Sequence, residues 1–436
     1  MDAFHRMASL GSSLVMRDRK YPPWIHWTES KAKSMRYCDI TLAYNESSGG
    51  IKTYINQKRR YIQKNTSDDH ILIIPGSEDK VQDEDRLVTV TVKSPKVPWR
   101  KAYRFFWRPD KIMEAFERFH PDVIELGSFF IAPLPAFNYR EQRAEKSDPC
   151  LVSAYFHTDV ADAYFGGPLH RLFQENLVEW SENLAELGNE VIDAVEKRAE
   201  KYFGNIFKNC DLVFASGREQ IERLEEYGVF NTHKIPHGVD TNMFHPDKRS
   251  DEIRKQFTAD NDSILFLYGG RLDAEKRVEL LVQAFQKLEL KQSLLILIGE
   301  GPLKEELRNK EKEIDGLVVR DYEDNREKYA SILASADVYV TAGPHETFGL
   351  SVIEAQACGL PVVGVNAGAL PERIPEKTGF LTTPGNTEEF AENMKKAALQ
   401  REKLGMHARE YVLNEGYDWN SSFEKMIGIY AASFKI

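Results

Sequence analysis

Residues 344–365 read PHETFGLSVIEAQACGLPVVGV. An apolar segment, Val338–Thr341, precedes this stretch and has the composition of a buried strand. A second apolar segment, Pro361–Val365, ends it, and the residues between are typical of a helix that starts near Gly349. The order strand, turn, helix, strand is that of a right-handed crossover, so the stretch predicts a parallel sheet.

The same alternation of short apolar runs and helical patterns extends over most of the 436 residues. Runs such as ILII at 71–74 and LLILI at 294–298 are continuously apolar, as in strands covered on both faces. The sequence therefore predicts an α/β protein with two parallel sheets. Strands are predicted at Asp39–Tyr44, His70–Ile74, Leu87–Val92, Val123–Leu126, Leu151–Phe156 and Leu212–Ala215, and in a second series at Ile264–Tyr268, Ser293–Ile298, Leu317–Arg320, Val338–Thr341 and Pro361–Val365.

A change in composition near residues 244–260 predicts a domain boundary. The piece PHGVDTNMFHPD at 236–247 is rich in turn-forming residues and precedes a polar, charged segment. We expect one Rossmann-like domain over residues 1–245, of which 1–37 form an extension without a clear pattern, and a second over residues 246–416. Apolar residues at helical spacing predict a long helix at Leu172–Tyr202 and a last helix at Trp419–Phe434, within a C-terminal segment 417–436.

The composition excludes several classes of protein. Apolar residues are 42% and charged residues 29% of the chain, which excludes wholesale disorder. No run approaches the ~18 apolar residues that a membrane span needs. The net charge of −10 argues against nonspecific nucleic-acid binding. The four cysteines are far apart and predict neither a zinc site nor a disulfide framework, which fits a reducing cytosol.

The basic residues are concentrated in the first part of the chain. Residues 1–120 carry 22 basic and 15 acidic residues, whereas the remainder is strongly acidic. This excess predicts an anionic partner for the first domain, with ordinary surface variation as the alternative.

The stretch 344–365 also carries candidate binding residues. The N–H groups of Phe348, Gly349 and Leu350 are expected at a helix N-terminus, where they form an anion site suited to a diphosphate. Glu354, one turn further on, can accept two hydroxyl hydrogen bonds, and Glu346 precedes the turn. The alternative is a helix cap with solvated glutamates.

A second motif, LFLYGGRLDAEKR, occupies residues 265–277. Gly269 and Gly270 end a predicted strand, and Arg271 and Lys276 follow at positions from which both cations can reach a diphosphate. Two surface cations flanking a helix start are the alternative. The turns contain no G-x-G-x-x-G pattern, which disfavours a nicotinamide dinucleotide site.

Two further motifs follow strands of the first domain. NESSGGIKTYI at 45–55 places Gly49 and Gly50 in a small loop before a helix, suited to close approach of a phosphate or sugar or to a turn alone. AYFHTDV at 154–160 places His157 at the end of a strand, where open α/β sheets bind ligands, although a satisfied structural histidine has the same pattern. The sequence lacks the G-x-S-x-G, phosphate-loop and H-E-x-x-H motifs of hydrolases, kinases and zincins.

Taken together, these motifs resemble those of the family 4 glycosyltransferases of the GT-B fold. The similarity covers about residues 39–436 in family order, and the PHETFGL variant resembles the branch of bacterial lipid mannosyltransferases and plant-type sulfolipid synthases. The pieces that carry the resemblance are SSGGIKTY (47–54), YFHTD (155–159), PHGVDTNMFHP (236–246), YGGRLDAEKR (268–277), PHETFGLSVIEAQACGLPVV (344–363) and NAGALPE (366–372).

The resemblance implies two Rossmann-like domains that face each other across a cleft, and a retaining hexosyltransferase without an obligatory metal or other cofactor. The N-terminal domain would bind the acceptor, the C-terminal domain the nucleotide sugar, and the last helix would pack back on the first domain. Preorganised cations and a helix N-terminus suit a departing phosphate. No dedicated nucleophile is evident, which favours a same-face mechanism.

The resemblance also implies individual roles. Arg271 and Lys276 would neutralise the diphosphate, Glu354 would hold the ribose and Glu346 the hydroxyls of the donor sugar. Gly49 and Gly50 would close over the phosphate, with His157 against the sugar near C6. Catalytic roles are thus implied for Glu346, His157, Arg271 and Lys276, and donor binding for Gly49, Gly50, Gly270, Arg271, Lys276, Gly299, Glu346, Phe348, Gly349, Leu350 and Glu354.

The base is expected near Gly299–Gly301 and Val319–Tyr322. There VVRDYE replaces the family's phenylalanine–leucine–glycine run, which leaves the choice of base open. A UDP-sugar is favoured and GDP-mannose is next.

The acceptor is expected to be a glycolipid, a cell-envelope glycan or a small molecule, and the protein is expected in the cytoplasm, at the inner face of the membrane. Trp99–Arg108, WRKAYRFFWR, is interpreted either as a packed loop and helix start or as a basic, aromatic patch for peripheral membrane contact. A nucleotide-sugar epimerase, a phosphorylase and a catalytically silent sugar-nucleotide-binding module are the competing functions.

Overall fold

The fold is that of a computed structural model, described for residues 34–45, 50–97, 100–157, 197–258, 260, 262–346 and 348–434, with the backbone alone at 100–102. These residues form two compact units. Unit 1 contains the chain up to Ala215, Ile221–His233 and the residues from Ile427 onward. Unit 2 contains Ser216–Gln220 and Lys234–Met426.

Strands and helices alternate through both units. The strands are β1 (Arg36–Ile40), β2 (Asp69–Gly76), β3 (Lys80–Glu84), β4 (Leu87–Lys93), β5 (Lys96–Val97), β6 (Arg100–Arg104), β7 (Val123–Leu126), β8 (Leu151–Phe156), β9 (Leu212–Ala215), β10 (Thr232–Lys234), β11 (Ile264–Gly269), β12 (Ser293–Ile298), β13 (Leu317–Arg320), β14 (Val338–Val340), β15 (Val362–Val365) and β16 (Gly379–Thr382). The helices are α1 (Gly50–Asn65), α2 (Pro109–Phe119), α3 (Pro133–Glu145), α4 (197–209), α5 (Arg218–Glu226), α6 (Asp251–Arg254), α7 (Val278–Gln286), α8 (Lys304–Glu311), α9 (Arg326–Ser335), α10 (Leu350–Ala357), α11 (Leu370–Arg373), α12 (Thr387–Leu399), α13 (Arg401–Asn414) and α14 (Trp419–Ser433).

The sheet of unit 1 has the strand order β10-β9-β8-β7-β1-β2-β4-β3. Strand β1 pairs in parallel with β2 on one side and with β7 on the other. Within this sheet, among the strand pairs of known register, only β3 and β4 are antiparallel, and the five residues of β3 are all exposed. The strands that follow β1 in the chain are added on its β2 side, and those from β7 onward are added on its other side. The strand order therefore reverses between β1 and β7.

The sheet of unit 2 has the order β13-β12-β11-β14-β15-β16, and its pairs are parallel. The apolar runs of β11 and β12 are buried in the core, as predicted for strands covered on both faces. The order reverses between β11 and β14. In an open α/β sheet a ligand binds at the carboxyl ends of the strands beside such a reversal.

Several predicted strands are confirmed residue for residue: Val123–Leu126, Leu151–Phe156, Leu212–Ala215, Ser293–Ile298 and Leu317–Arg320. The prediction of Asp39–Tyr44 is wrong in its bounds, since β1 spans Arg36–Ile40 and the residues after it form the loop before α1. Arg36 is only partly buried and so did not signal a strand.

Other strands lacked a signal in the sequence. Strand β3 reads KVQDE and is exposed, and β16 is only four residues long, so neither shows a continuous apolar run. Within Trp99–Arg108, expected as a loop and helix start, residues 100–104 form β6, which pairs with β5. Trp99 lies outside the described residues.

The predicted helices are found in part. The last helix, predicted at Trp419–Phe434, is α14 (Trp419–Ser433). Of the predicted helix Leu172–Tyr202, residues 158–196 lie outside the described residues, and 197–209 form α4. Within the described part of the chain, no helix is both long and apolar enough to cross a bilayer.

Candidate functional site

The loops after β11 and β12 approach each other closely at the carboxyl edge of the unit 2 sheet. Gly270 donates its N–H to Ile298 O at 3.0 Å, and Gly299 donates to Arg320 O at 3.2 Å. A Cβ atom built on Gly299 would lie 1.8 Å from the Gly270 carbonyl oxygen. Only glycine at position 299 therefore allows this contact, and the turn leaves backbone rather than side chains at the sheet reversal.

Two of the predicted charged residues meet at this edge. Asp273 caps the short turn at 274–276, accepting a hydrogen bond from the Lys276 N–H at 3.0 Å. The Lys276 ammonium then lies 2.8 Å from the Glu346 carboxylate, although the two residues are 70 positions apart. Their side chains are 18% and 22% exposed, so the pair is shielded but reachable. Arg271 is bound to Asp273 and Glu275 instead, with 59% of its side chain exposed.

The start of α10 follows Glu346. Gly349 is the residue before the helix and has φ +78°, a left-handed conformation that favours glycine. The N–H groups of the first turn of a helix lack partners within the helix and carry the positive end of its dipole. The adjacent Glu346 carbonyl accepts the Ala369 N–H at 2.8 Å, which fixes the segment in place. Thr347 lies outside the described residues.

The Arg373 side chain, which the sequence analysis did not single out, is hydrogen-bonded to this segment. Arg373 is completely buried. It donates to the carbonyl oxygens of Phe348 at 3.0 Å and Ser216 at 3.1 Å and to the Tyr417 hydroxyl at 3.0 Å. Its guanidinium lies 4.4 Å from the Phe348 ring centroid. In the sequence it reads as an ordinary basic residue at a helix end, so no local signal marks it.

Glu354 is buried on α10 and pairs with a second missed residue, Arg326 at the start of α9. Burial raises the pKa of the Glu354 carboxyl, and the Arg326 guanidinium opposes that rise. Both carboxylates proposed for the donor thus have a cationic partner in unit 2.

The two segments at which the base is expected lie side by side in unit 2. The ends of β12 and β13 are joined there by the hydrogen bond from Gly299 to Arg320. Tyr322 is 56% exposed and Asp321 is bound by Lys304 and Arg308.

Gly50 and His157 belong to unit 1, and Gly49 lies outside the described residues. Gly50 begins α1, and an added Cβ would meet no atom within 4 Å, so its surroundings do not require glycine. His157 follows β8, stacks on Tyr155 at 4.3 Å and meets the Tyr54 ring edge at 4.9 Å. Burial lowers the pKa of His157 to about 3, so the imidazole is neutral at physiological pH.

A buried polar cluster lies at the sheet reversal of unit 1. Lys58 of α1 bonds to Asp39 at 2.7 Å and to Glu125 at 3.0 Å, and its side chain is 2% exposed. Tyr54 and Tyr430 donate to the same Glu125 carboxylate at 2.9 and 2.8 Å. Sequence reasoning missed the cluster, although Lys58 lies on the helix face that also carries the buried Tyr54 and Ile62.

The Trp99–Arg108 segment is divided between core and surface. Phe106 is buried, whereas Trp107 is 67% exposed. Arg104 donates to Ser94 O at 2.7 Å and Arg108 pairs with Asp79 at 2.7 Å. The packed interpretation therefore holds for Phe106, and Trp107 remains at the surface.

The chain is similar to known proteins over most of its length. Residues 48–243 match the family model "Glycosyltransferase Family 4" and residues 249–412 match "Glycosyl transferases group 1". The chain is 27% identical over 352 residues to a GDP-mannose-dependent alpha-(1-6)-phosphatidylinositol dimannoside mannosyltransferase of Mycobacterium tuberculosis, covering 79% of this chain and 83% of that protein. It is 36% identical over 198 residues to the sulfoquinovosyl transferase SQD2 of Arabidopsis thaliana, covering 43% and 38%.

Solved structures show the same fold. A sucrose-phosphate synthase from Thermosynechococcus elongatus matches with a TM-score of 0.68 at 20% identity, over 92% of this chain and 99% of that one. A glycosyltransferase from Rickettsia africae matches with a TM-score of 0.69 at 18% identity, over 93% and 100%.

Two α/β units, each built on a sheet with one reversal of strand order, are the architecture of the GT-B glycosyltransferases. The chain belongs to family 4 of these enzymes, which transfer a sugar from a nucleotide sugar, and it resembles their lipid mannosyltransferases. The predicted fold class and family are confirmed.

Proposed function

We propose that the protein transfers a hexose, with retention of configuration, from a nucleoside diphosphate sugar to a hydroxyl group of a glycolipid. The observation that carries the proposal is the pairing of Lys276 with Glu346 beside the N-terminus of α10. One cation and one carboxylate are held together at the edge at which open α/β sheets bind their ligands. The ammonium suits a diphosphate and the carboxylate suits sugar hydroxyls.

In the proposed reaction the bond between the anomeric carbon and the phosphate oxygen breaks while the acceptor oxygen bonds to the same face of that carbon. The acceptor proton passes to the departing phosphate, so no further base is needed. Lys276 and the first N–H groups of α10 stabilise the negative charge that develops on the leaving diphosphate. Arg271 joins them if the diphosphate displaces it from Asp273 and Glu275. The chemistry needs no metal, and a chelator is expected to leave turnover unchanged.

GDP-mannose is the first donor to test. The mycobacterial relative that aligns with most of this chain is named for GDP-mannose. The preference for a UDP-sugar that the sequence favoured stays a prediction, and UDP-glucose is the comparison donor. The acceptor to test is chosen from the same relative, whose name specifies a phosphatidylinositol dimannoside.

A lipid acceptor implies peripheral membrane contact at the cytoplasmic face. The exposed Trp107 supports such contact, since tryptophan favours the membrane interface. Sedimentation with anionic vesicles should decrease in Trp107→Ala, and equal binding by both proteins would exclude this residue from the contact.

The decisive experiment measures release of nucleoside diphosphate from GDP-mannose and UDP-glucose, with and without mannosylated phosphatidylinositol. We expect release that depends on the acceptor, and an α-linked product in its nuclear magnetic resonance spectrum. Release or epimerisation without an acceptor would favour an epimerase, and use of inorganic phosphate would favour a phosphorylase. A trapped covalent glycosyl-enzyme would refute the same-face step.

Lys276→Met tests the site itself. Loss of one preorganised charge on the leaving group should lower kcat by about 10²- to 10³-fold. Lys310→Met is the matched control, because Lys310 pairs with Glu306 at 2.6 Å on the surface of the same unit. Wild-type activity in Lys276→Met would refute the proposal that Lys276 stabilises the charge of the leaving diphosphate.

A further inference from the structure

The Glu354 carboxylate has two oxygens in different surroundings. Oε1 accepts a hydrogen bond and ion pair from Arg326. Among the described residues, no hydrogen-bond donor contacts Oε2. A carboxylate that is 5% exposed and held at one oxygen only has the second oxygen left for a ligand.

Arg326 is itself held in place. Its guanidinium lies 4.9 Å from the Phe244 ring centroid and 5.7 Å from that of Tyr329. Both rings lie within cation–π distance of the guanidinium and favour its position beside Glu354. Arg326 is 44% exposed along its side chain and therefore reaches from the surface to the buried carboxylate.

We propose that Arg326 is the positioning residue of the donor site: it holds one oxygen of Glu354 and directs the other at the vicinal hydroxyls of a bound nucleotide. The inference rests on the function proposed above, because Glu354 meets a ribose only if a nucleotide binds in unit 2. Arg326 acts through Glu354 and need not touch the ligand.

The ionisation of Glu354 provides a readout for this role. The titratable groups that face it are Arg326 and Tyr329 of α9, Tyr339 of β14 and Cys358 after α10. Arg326 is the one among these that favours the carboxylate. Without it, the rise that burial causes in the pKa of Glu354 is unopposed, so the neutral form of the carboxyl becomes more populated as the pH falls.

The experiment measures the Kd of GDP and, separately, of UDP by calorimetry at pH 6 and pH 8. Replacing a charge-assisted hydrogen bond by a neutral one should make Arg326→Met bind the nucleotide about fivefold to tenfold more weakly at pH 6 than at pH 8. Wild type and Arg326→Lys should change by less than about twofold, because the cation remains. Arg401→Met, with a side chain 40% exposed in the same unit, is the control.

A double variant tests whether Arg326 acts on nucleotide binding through Glu354. In Glu354→Gln, adding Arg326→Met should change the Kd little and without pH dependence, since no carboxylate remains to be positioned.

The outcomes separate the two proposals. If Arg326→Met weakens nucleotide binding equally at both pH values, or still weakens it in the Glu354→Gln background, the role of Arg326 is overturned. The proposed function is not affected by that result. Failure of the wild type to bind either nucleotide overturns the proposed function and this inference with it. Thermal unfolding of each variant identifies any that have lost the fold.

Discussion

Replacing Lys58 by methionine removes the only cation among the groups that contact Asp39 and Glu125 in the described structure. Methionine keeps the length of the side chain but leaves two buried carboxylates facing each other. Removing one partner of a buried ion pair typically costs ~3–5 kcal/mol. We therefore expect Lys58→Met to lower the free energy of unfolding of unit 1 by ~3–5 kcal/mol at pH 7.5.

The loss should become smaller in acid. Burial already raises the pKa of Glu125 despite Lys58, whereas Lys58 and His70 overcome burial to lower the pKa of Asp39. Without Lys58 both carboxyls should have higher folded pKa values than in the wild type. A carboxyl with a raised folded pKa binds more protons folded than unfolded, so stability rises as the pH falls through that pKa. Each such group recovers up to ~1.4 kcal/mol per pH unit.

Urea unfolding at pH 7.5 and pH 5.5 measures both effects. The difference between wild type and variant removes the contribution of groups whose surroundings do not change. Burial lowers the pKa of His70 to about 4 and Lys58 adds to that lowering, so the pKa of His70 rises in the variant and also makes the loss smaller in acid. Lys64→Met, an exposed change on the same helix, should cost less than ~0.5 kcal/mol. A difference between Lys58→Met and wild type that is below ~1 kcal/mol, or that does not shrink at pH 5.5, would refute the reasoning.

Three other predictions concern single residues. Arg373→Met removes the hydrogen-bond donor from two carbonyl oxygens and one hydroxyl. In urea unfolding it should lower the free energy of unfolding of unit 2 by ~3–5 kcal/mol. Tyr417→Phe, which removes only the hydroxyl, should lower it by ~1 kcal/mol. In Gly299→Ala the new methyl meets Gly270 O, so stability should fall by ~1–3 kcal/mol with weaker nucleotide binding; an unchanged melting temperature would contradict the contact. The His157 ring should keep a constant nuclear magnetic resonance shift from pH 5 to 8, because its pKa is about 3.

The sequence predicted those elements whose signal is local. Continuous apolar runs such as LLILI marked the buried strands, and glycines next to charged residues marked the loops at the sheet reversal of unit 2. Lys276 and Glu346, singled out separately, lie 2.8 Å apart. Their partnership depends on β11 and β14 being neighbours, which the order along the chain suggests only once the fold is assumed.

The residues that escaped prediction act through distant partners. Arg373, Arg326 and Lys58 each have the sequence pattern of an ordinary basic residue of a helix, and the groups that each one binds belong to elements far away in the chain. The exposed strand β3 escaped for the opposite reason, because an edge strand without a buried face has no apolar pattern.

Helix α14 contributes residues to both units: its part up to Met426 belongs to unit 2, and Tyr430, bound to Glu125 and Ser153, belongs to unit 1. Together with the short return at 216–220, this means that no single cut yields a whole unit. Recombination that exchanges the second half of the gene between relatives would also exchange the residues that complete the first half. A chimaera joined near residue 234 is therefore expected to be less stable unless the incoming last helix still supplies a tyrosine for the Glu125 of its new host.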